Sequence, residues 1–380
     1  MNKNEKRVPE VRFKGYVEDW EQRKLGELCE KLQSGKNIKS QDIWEEGKYP
    51  VFGGNGFRGY TNTYNHNGFY ALIGRQGALC GNMNISNGKA YFTEHAVVVK
   101  GNKNNETRFL FYLLGKMNLG QYSGQSAQPG LAVSKLIELT AFIPTFAEQA
   151  QISGLFKQLD DTIALHQRKL DLLKLLKKGF MQVMFPQKGE DVPRLRFANF
   201  DSKWKQRKLG EVSTFINGRA YKQNELLSSG KYKVLRVGNF YTNDSWYYSD
   251  LELDEKYYAQ KGELLYTWST TFGPHIWDGD KVIYHYHIWK VELSEELDKQ
   301  FAVQLLEYDK TKITSDKNGT TMVHITKKGM EEKKVILPNI AEQRKIGKFL
   351  KQLDNTIVLH TTKIYKLQTL KKYFLQKMFI

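Results

Sequence analysis

Gly53-Gly54-Asn55-Gly56, followed by Arg58 and Gly59, is a glycine-rich stretch of the kind that can cradle a phosphate. That chemistry needs backbone N–H groups aimed at the anion and a helix opening behind them, usually through a Gly-Lys-Ser/Thr step. No such step follows here, which leaves an ordinary loop or a tight turn that presents Asn55 and Arg58 to a nucleic acid. His285 and His287, in the run YHYH, share one strand face and could supply two metal ligands. No cysteine or carboxylate stands at ligand spacing, so the pair reads as packed or as facing a nucleic acid. Thr267 to Trp277 (TWSTTFGPHIW) sets Trp268, Thr270 and His275 among aromatics. This composition suits base stacking and equally suits the edge of a core. Arg75, Gln76 and Lys89 in the first half, with Arg236, Asn239 and Lys281 in the second, complete the candidate contacts. Arginine forks and amide side chains among them match the donor and acceptor pattern of base edges.

Catalytic signatures are missing from the sequence. There is no Walker A lysine motif, no Pro-Asp followed by Glu-x-Lys, no Asn-Pro-Pro-aromatic, no HExxH and no GxSxG. The chain is therefore expected to perform no chemistry of its own and to hold no metal. The charge points to a partner instead. Lys and Arg number 58 against 41 Asp and Glu, a net charge of +17. The last 40 residues alone carry nine Lys and Arg against Glu342 and Asp354. A polyanion, most simply nucleic acid, fits such a balance; a solubilising surface is the plain alternative. Two cysteines, Cys29 and Cys80, are too few for a disulfide framework or a cysteine zinc cluster and fit a reducing compartment. With no apolar run near the ~18 residues of a membrane span, the expected location is the cytoplasm.

An internal duplication organises the elements that must position these residues. Val8-Pro9-Glu10-Val11-Arg12-Phe13 returns as Val192-Pro193-Arg194-Leu195-Arg196-Phe197. Trp20 and Gln22 to Glu27 return as Trp204 and Gln206 to Glu211. Ile143-Pro144-Thr145-Phe146-Ala147-Glu148-Gln149 matches Leu337-Pro338-Asn339-Ile340-Ala341-Glu342-Gln343, and the likeness runs on to Met184-Phe185 and Met378-Phe379. Between these blocks, over 40–120 and 221–310, the halves read as almost wholly unlike. One frame with two different inserts suggests one scaffold presenting two readers.

Each half ends in a long helix pattern with a 3.5-residue period. Ile152, Phe156, Leu159, Ile163, His166, Leu170, Leu173, Lys177, Phe180 and Met184 form one seam. The second is Ile346, Leu350, Leu353, Ile357, His360, Ile364, Leu367, Lys371, Phe374 and Met378. The polar interruptions fall at the same two steps in both. Such a seam needs a partner, and the two copies most simply pair with each other. Six residues, Pro186 to Asp191, are too short to return the chain along a parallel pair, so the pairing is expected to be antiparallel. The reading is an α+β protein of two globular domains, 1–146 and 187–340, separated by spacer helices 147–186 and 341–380 in an antiparallel coiled coil with a pseudo-twofold repeat. Asn55-Gly56, Asn67-Gly68, Asn87-Gly88 and Asn318-Gly319 read as hairpin turns. Tyr91 to Lys100 and Lys281 to Val291 read as strands; Thr107 to Met117 and Glu296 to Tyr308 read as helices.

The frame WxxxKLGE (Trp20 to Glu27 and Trp204 to Glu211), the GQSAQPGL run from Gly124 and the IPxxAEQ block opening a heptad helix resemble the specificity subunit of type I restriction-modification enzymes. The resemblance implies two target-recognition domains that each read half of a split, non-palindromic DNA target. It also implies a paired-helix spacer that docks two methyltransferase subunits, with motor-nuclease subunits joining through them. S-adenosylmethionine, ATP and Mg would then sit on the partners, and none on this chain. In the second half Gly319-Thr320-Thr321-Met322-Val323-His324 replaces the GQSAQPGL run, so only a turn is expected in common there. A helical adaptor joining two proteins without reading DNA is the competing interpretation, and a catalytic fusion the third.

Overall fold

The computed structural model describes residues 7–77, 79–124, 130–187, 189–269, 271–315 and 325–380. The chain divides into two units, Met1–Arg168 with Thr362–Ile380, and Lys169–Thr361. In the first, a six-stranded sheet runs in the order Cys29–Ser34, Ala96–Gly101, His66–Gly74, Met83–Phe92, Tyr49–Gly53 and Gly56–Thr61. Its neighbours are antiparallel except Tyr49–Gly53 with Met83–Phe92. Val97, Val98 and Val99 are wholly buried, as expected of β-branched residues in an interior strand covered on both faces. The helix Thr107–Lys116 contributes Phe109, Leu110 and Leu113 to the core beneath it, and the Glu106 carboxylate accepts the Phe109 N–H at its start. The Lys290-bearing second unit is built on two four-stranded sheets. One is Ser213–Asn217, Ile288–Leu293, Leu264–Thr267, Gly273–Ile276; the other is Tyr247–Ser249, Tyr232–Leu235, Val282–Tyr284, Tyr258–Ala259.

Several local expectations are corrected. Tyr91 to Lys100 is two strands, broken by the turn Thr93–His95, where the Ala96 N–H reaches the Thr93 carbonyl at 3.0 Å. Lys281 to Val291 breaks in the same way at His285–His287. Both turns rest in part on hydrogen bonds from far away in sequence, Thr93 to Phe52 and His285 to Leu235, so composition alone joins what the sheets separate. Asn55-Gly56 does form a hairpin turn, but Asn67-Gly68 and Asn87-Gly88 lie within paired strands, Gly68 opposite Gly88. Asn318-Gly319 lies outside the described residues. The helix expected from Glu296 starts at Lys299, because the Asp298 carboxylate accepts the Gln300 and Phe301 N–H groups and caps it there. It runs on to Ser315.

The duplicated blocks turn out to be the joints of the frame. Arg12 donates two hydrogen bonds to the Glu148 carboxylate, at 2.7 and 2.8 Å, and Arg196 does the same to Glu342 at 2.9 and 2.7 Å. Both carboxylates are fully buried. Each glutamine that follows ties the start of its long helix to a neighbouring helix. Gln149 accepts from the Glu106 N–H and donates to the Pro144 carbonyl; Gln343 accepts from the Asp298 N–H and donates to the Pro338 carbonyl. Trp20 meets Phe109 edge-on at 6.1 Å, as Trp204 meets Phe301 at 6.2 Å. The repeated Met-Phe ends close these cores crosswise. Phe379, just past the end of the second long helix, packs on Phe109 in the first unit; Phe185, just past the end of the first, packs on Phe301 in the second.

The long helices span Phe146–Met184 and Ile340–Lys377, and each unit holds a segment of both. Within each unit these segments run antiparallel. In the first, Phe156 meets Phe379 and Asp160 meets Lys371; in the second, Lys177 meets Asp354 and Phe180 meets Phe349. The lysines that interrupt the seam are thus its cross-helix ion pairs. Their carboxylates each take a second donor, the Tyr112 hydroxyl on Asp160 and the Gln304 amide on Asp354. Ile152, Phe156, Leu159, Leu170, Ile346, Leu350 and Ile364 are buried, while Ile163, His166, Leu173, Leu353, Ile357, His360 and Leu367 are half-buried. No helix among the described residues is long and apolar enough to cross a membrane.

Candidate nucleic-acid interface

In the first unit four of the candidates gather at one corner of the sheet. Asn55 is exposed at the tip of the hairpin Tyr49–Gly53/Gly56–Thr61, and Arg58 is exposed on its outgoing strand. No long helix opens behind the turn, so the phosphate-cradle reading of the glycines falls. Their role is close approach. A Cβ on Gly54 would stand 2.9 Å from the His95 carbonyl, and one on Gly53 would stand 2.6 Å from Cδ of Arg58. Arg75 follows the strand His66–Gly74; its backbone N–H donates to the His95 carbonyl at 2.9 Å and its guanidinium rests against the carbonyls of Leu131 and Glu94. Gln76 is exposed, and its amide oxygen lies 2.8 Å from Nδ1 of His95. Lys89 is not part of this corner. It lies over the Tyr64 ring, which meets Tyr49 edge-on at 5.0 Å.

The second unit gathers its candidates less completely. Arg236 lies 4.2 Å over the Tyr247 ring and donates to the Ser245 carbonyl. The Asn239 amide is engaged within the same loop, accepting from the Arg236 N–H and donating to the carbonyls of Asn243 and Ser245. Trp268 is half-buried, stacked at 5.8 Å on Trp289, with its indole N–H on the Tyr286 carbonyl. Lys281 is exposed but ion-paired with Glu255 at 2.8 Å. Thr270 lies outside the described residues, as do most of the GQSAQPGL run and Gly319 to His324.

His275 stacks on Phe240 at 4.1 Å, and burial, with Lys310 nearby, lowers its pKa to about 4. His285 is lowered to about 4 as well, first by burial and then by His287 and Arg236. Nε2 of His275 lies 3.3 Å from the hydroxyls of Tyr241 and Thr267, and both histidines are neutral at pH 7. The unfolded chain would protonate them near pH 6.5, so between those values the folded state binds fewer protons. Their contribution to stability is complete above pH 6.5 and falls away as pH drops toward 4. Thermal unfolding of the full chain across pH 7.5 to 4 should show this loss, and His275→Gln should flatten it; a pH-independent transition would contradict the assignment.

Reading by residue type missed the surroundings of these histidines. Tyr286 meets Trp268 tilted at 6.0 Å and His287 meets it edge-on at 5.0 Å, and Arg219 makes a bidentate pair with Glu225 that holds the carboxyl down at about 2. A signal was there to find. Gly47-Lys48-Tyr49-Pro50-Val51 and Gly230-Lys231-Tyr232-Lys233-Val234 align, as do Gly35-Lys36 and Gly218-Arg219, one residue out of step with the first block. The expectation that the inserts diverge almost completely is therefore corrected. The frame continues through 35–51 and 218–234, including a 3-10 turn at Ser40–Asp42 and again at Gln223–Glu225.

The model of the type I restriction modification DNA specificity domain matches residues 17–175 and again 201–369. The EcoprrI specificity subunit of Escherichia coli is 43% identical over 152 residues, 39% of this chain and 38% of that subunit's length. The MjaVIII specificity subunit of Methanocaldococcus jannaschii is 23% identical across 93% of this chain and 91% of its own. Among solved structures, the type I restriction-modification S subunit of M. genitalium shares the fold at a TM-score of 0.73 and 17% identity, covering 98% of this chain and 99% of that one. Two copies of one domain thus account for both halves, and the chain belongs to the type I restriction-modification DNA specificity family.

Proposed function

We propose that this chain is the non-catalytic address subunit of a cytoplasmic type I restriction-modification assembly, reading a bipartite, non-palindromic DNA target. Residues 1–146 and 187–340 would each read one half-site, with 147–186 and 341–380 as the spacer between them. The observation that carries this reading is one backbone frame, built twice, holding unlike side chains at the same exposed corner. A half-site protein with two different readers needs that combination, since a symmetric pair would select a palindrome. The long helices would dock two methyltransferase subunits and, through them, motor-nuclease subunits. S-adenosylmethionine would be bound by the former, ATP and Mg by the latter; this chain would hold none. Phosphate contacts from its basic surface would set position, and side chains at the corner would set sequence.

The test is duplex binding by the full chain assembled with methyltransferase subunits, followed across salt concentrations. Affinity should fall steeply with salt, and Arg58→Ala should cost roughly 1–3 kcal/mol of binding and relax one position of the motif without changing the melting temperature. An adaptor that ignores DNA would give no salt-dependent shift. Methylation by the purified chain alone, supplied with S-adenosylmethionine, would overturn the non-catalytic reading.

A further inference from the structure

The two units can be aligned hydrogen bond by hydrogen bond, without reference to side chains. Gly35 donates to the Ala96 carbonyl and Lys36 to that of Phe92; Gly218 donates to Ile288 and Arg219 to Tyr284. The Thr93 N–H reaches the Phe52 carbonyl, and the His285 N–H reaches that of Leu235. Arg75 donates to the His95 carbonyl, and Trp268 to that of His287. Both three-residue turns close in the same way, Ala96 onto Thr93 and Ile288 onto His285. The alignment places Thr93-Glu94-His95 on His285-Tyr286-His287, Arg75 on Trp268, and Gly53 on Arg236. It also explains why the stem of Arg58 lies against Gly53: Arg58, on the strand Gly56–Thr61, and Arg236, just after the strand Tyr232–Leu235, fill the same place.

A second cluster aligns in side chains as well as backbone. Tyr49 meets Tyr64 at 5.0 Å with Lys89 over Tyr64, and Tyr232 meets Tyr258 at 5.1 Å with Lys281 over Tyr258. A feature kept in both units cannot distinguish two half-sites. A place where the backbone is kept and the side chains change can.

Resting on the DNA-reading role above, we infer that the turns Thr93–His95 and His285–His287, with Arg75 and Trp268 beside them, are the base-reading elements of the two units, and that the tyrosine–lysine cluster belongs to the common frame. The chemistry at the two corners differs in kind. The first offers guanidinium groups and the Gln76–His95 pair, suited to hydrogen bonds with base edges. The second offers the rings of Trp268, Tyr286 and His287, which meet tilted or edge-on and suit apolar contact such as a thymine methyl. Both turns reach the surface: the His95 side chain is 42% exposed and Tyr286 39%, while Arg75, Trp268 and His287 are half-buried and Thr93 is buried.

The experiment selects duplexes randomised in both half-sites, using the full chain assembled with methyltransferase subunits. Arg75→Ala should relax preference in the first half-site by roughly 5- to 150-fold at one position and leave the second unchanged. Tyr286→Ala should do the converse, and Tyr286→Phe, which keeps the ring, guards against a packing defect. If the wild-type assembly selects no motif, this inference falls together with the DNA-reading role. If it selects a motif that both the Arg75 and Tyr286 variants leave intact, or that Lys89→Ala or Lys281→Ala changes instead, the inference alone is overturned.

Discussion

Arg12→Ala is expected to destabilise the first unit by about 3–5 kcal/mol, the cost of stranding a buried carboxylate. Glu148 is fully buried, and both of its oxygens take their charge-assisted bonds from the Arg12 guanidinium. Burial opposes the charge on each group, and the paired geometry offsets that cost only while both partners remain. The hydrogen bonds to Glu148 raise the Arg12 pKa, so the guanidinium stays charged throughout any accessible pH range. Removing the arginine leaves the carboxylate buried without its partner at the start of the long helix, where Gln149 also fastens Glu106. The double substitution Arg12→Met with Glu148→Leu should cost less than Arg12→Ala alone, because no charge is then left unpaired. Arg196→Ala should act in the same way on the second unit through Glu342. Denaturant unfolding of the full chain and hydrogen exchange at the two helix starts measure the effect. A variant with the wild-type midpoint would show the clamp to be energetically idle.

The second large effect is on specificity. Exchanging residues 1–146 for the matching part of another family member should replace the first half of the recognised motif entirely and leave the second half unchanged. Each unit carries its own core, its own aligned corner and its own clamp. The exchange cuts across that clamp, since Arg12 would come from the donor and Glu148 from this chain. It cuts across the Trp20–Phe109–Phe379 contact as well. Donors that retain the arginine and both aromatics should fold; donors lacking them should not. Sequencing methylated sites in cells that carry the chimaera with its partner subunits reads out both halves at once. Change in both halves would show that the readers are not independent.

Much of this protein was settled by sequence alone, through patterns that act over short distances. A 3.5-residue apolar period dictates a long helix with one seam, and two copies in one chain dictate that the seams meet. Pro144 and Pro338 mark where those helices start, for want of a backbone N–H. The repeated blocks gave the two-part plan because each reappears whole. Composition could not separate Tyr91–Phe92 from Ala96–Lys100, since the Thr93–His95 turn is made by hydrogen bonds to Phe52 and Arg75, far away in sequence. Nor could it show that Phe379 packs on Phe109 and Phe185 on Phe301, because those contacts are set by core packing between residues far apart in sequence. The placement of Arg58 and Arg236 at one common position was equally hidden. They stand at unrelated distances from the duplicated blocks, one on a strand and the other just past the end of one, and only sheet register brings the stem of one to the point where the other begins. Local propensity and period determined which elements exist. Long-range hydrogen bonds and core packing decided which side chains share a corner, and hence what that corner can read.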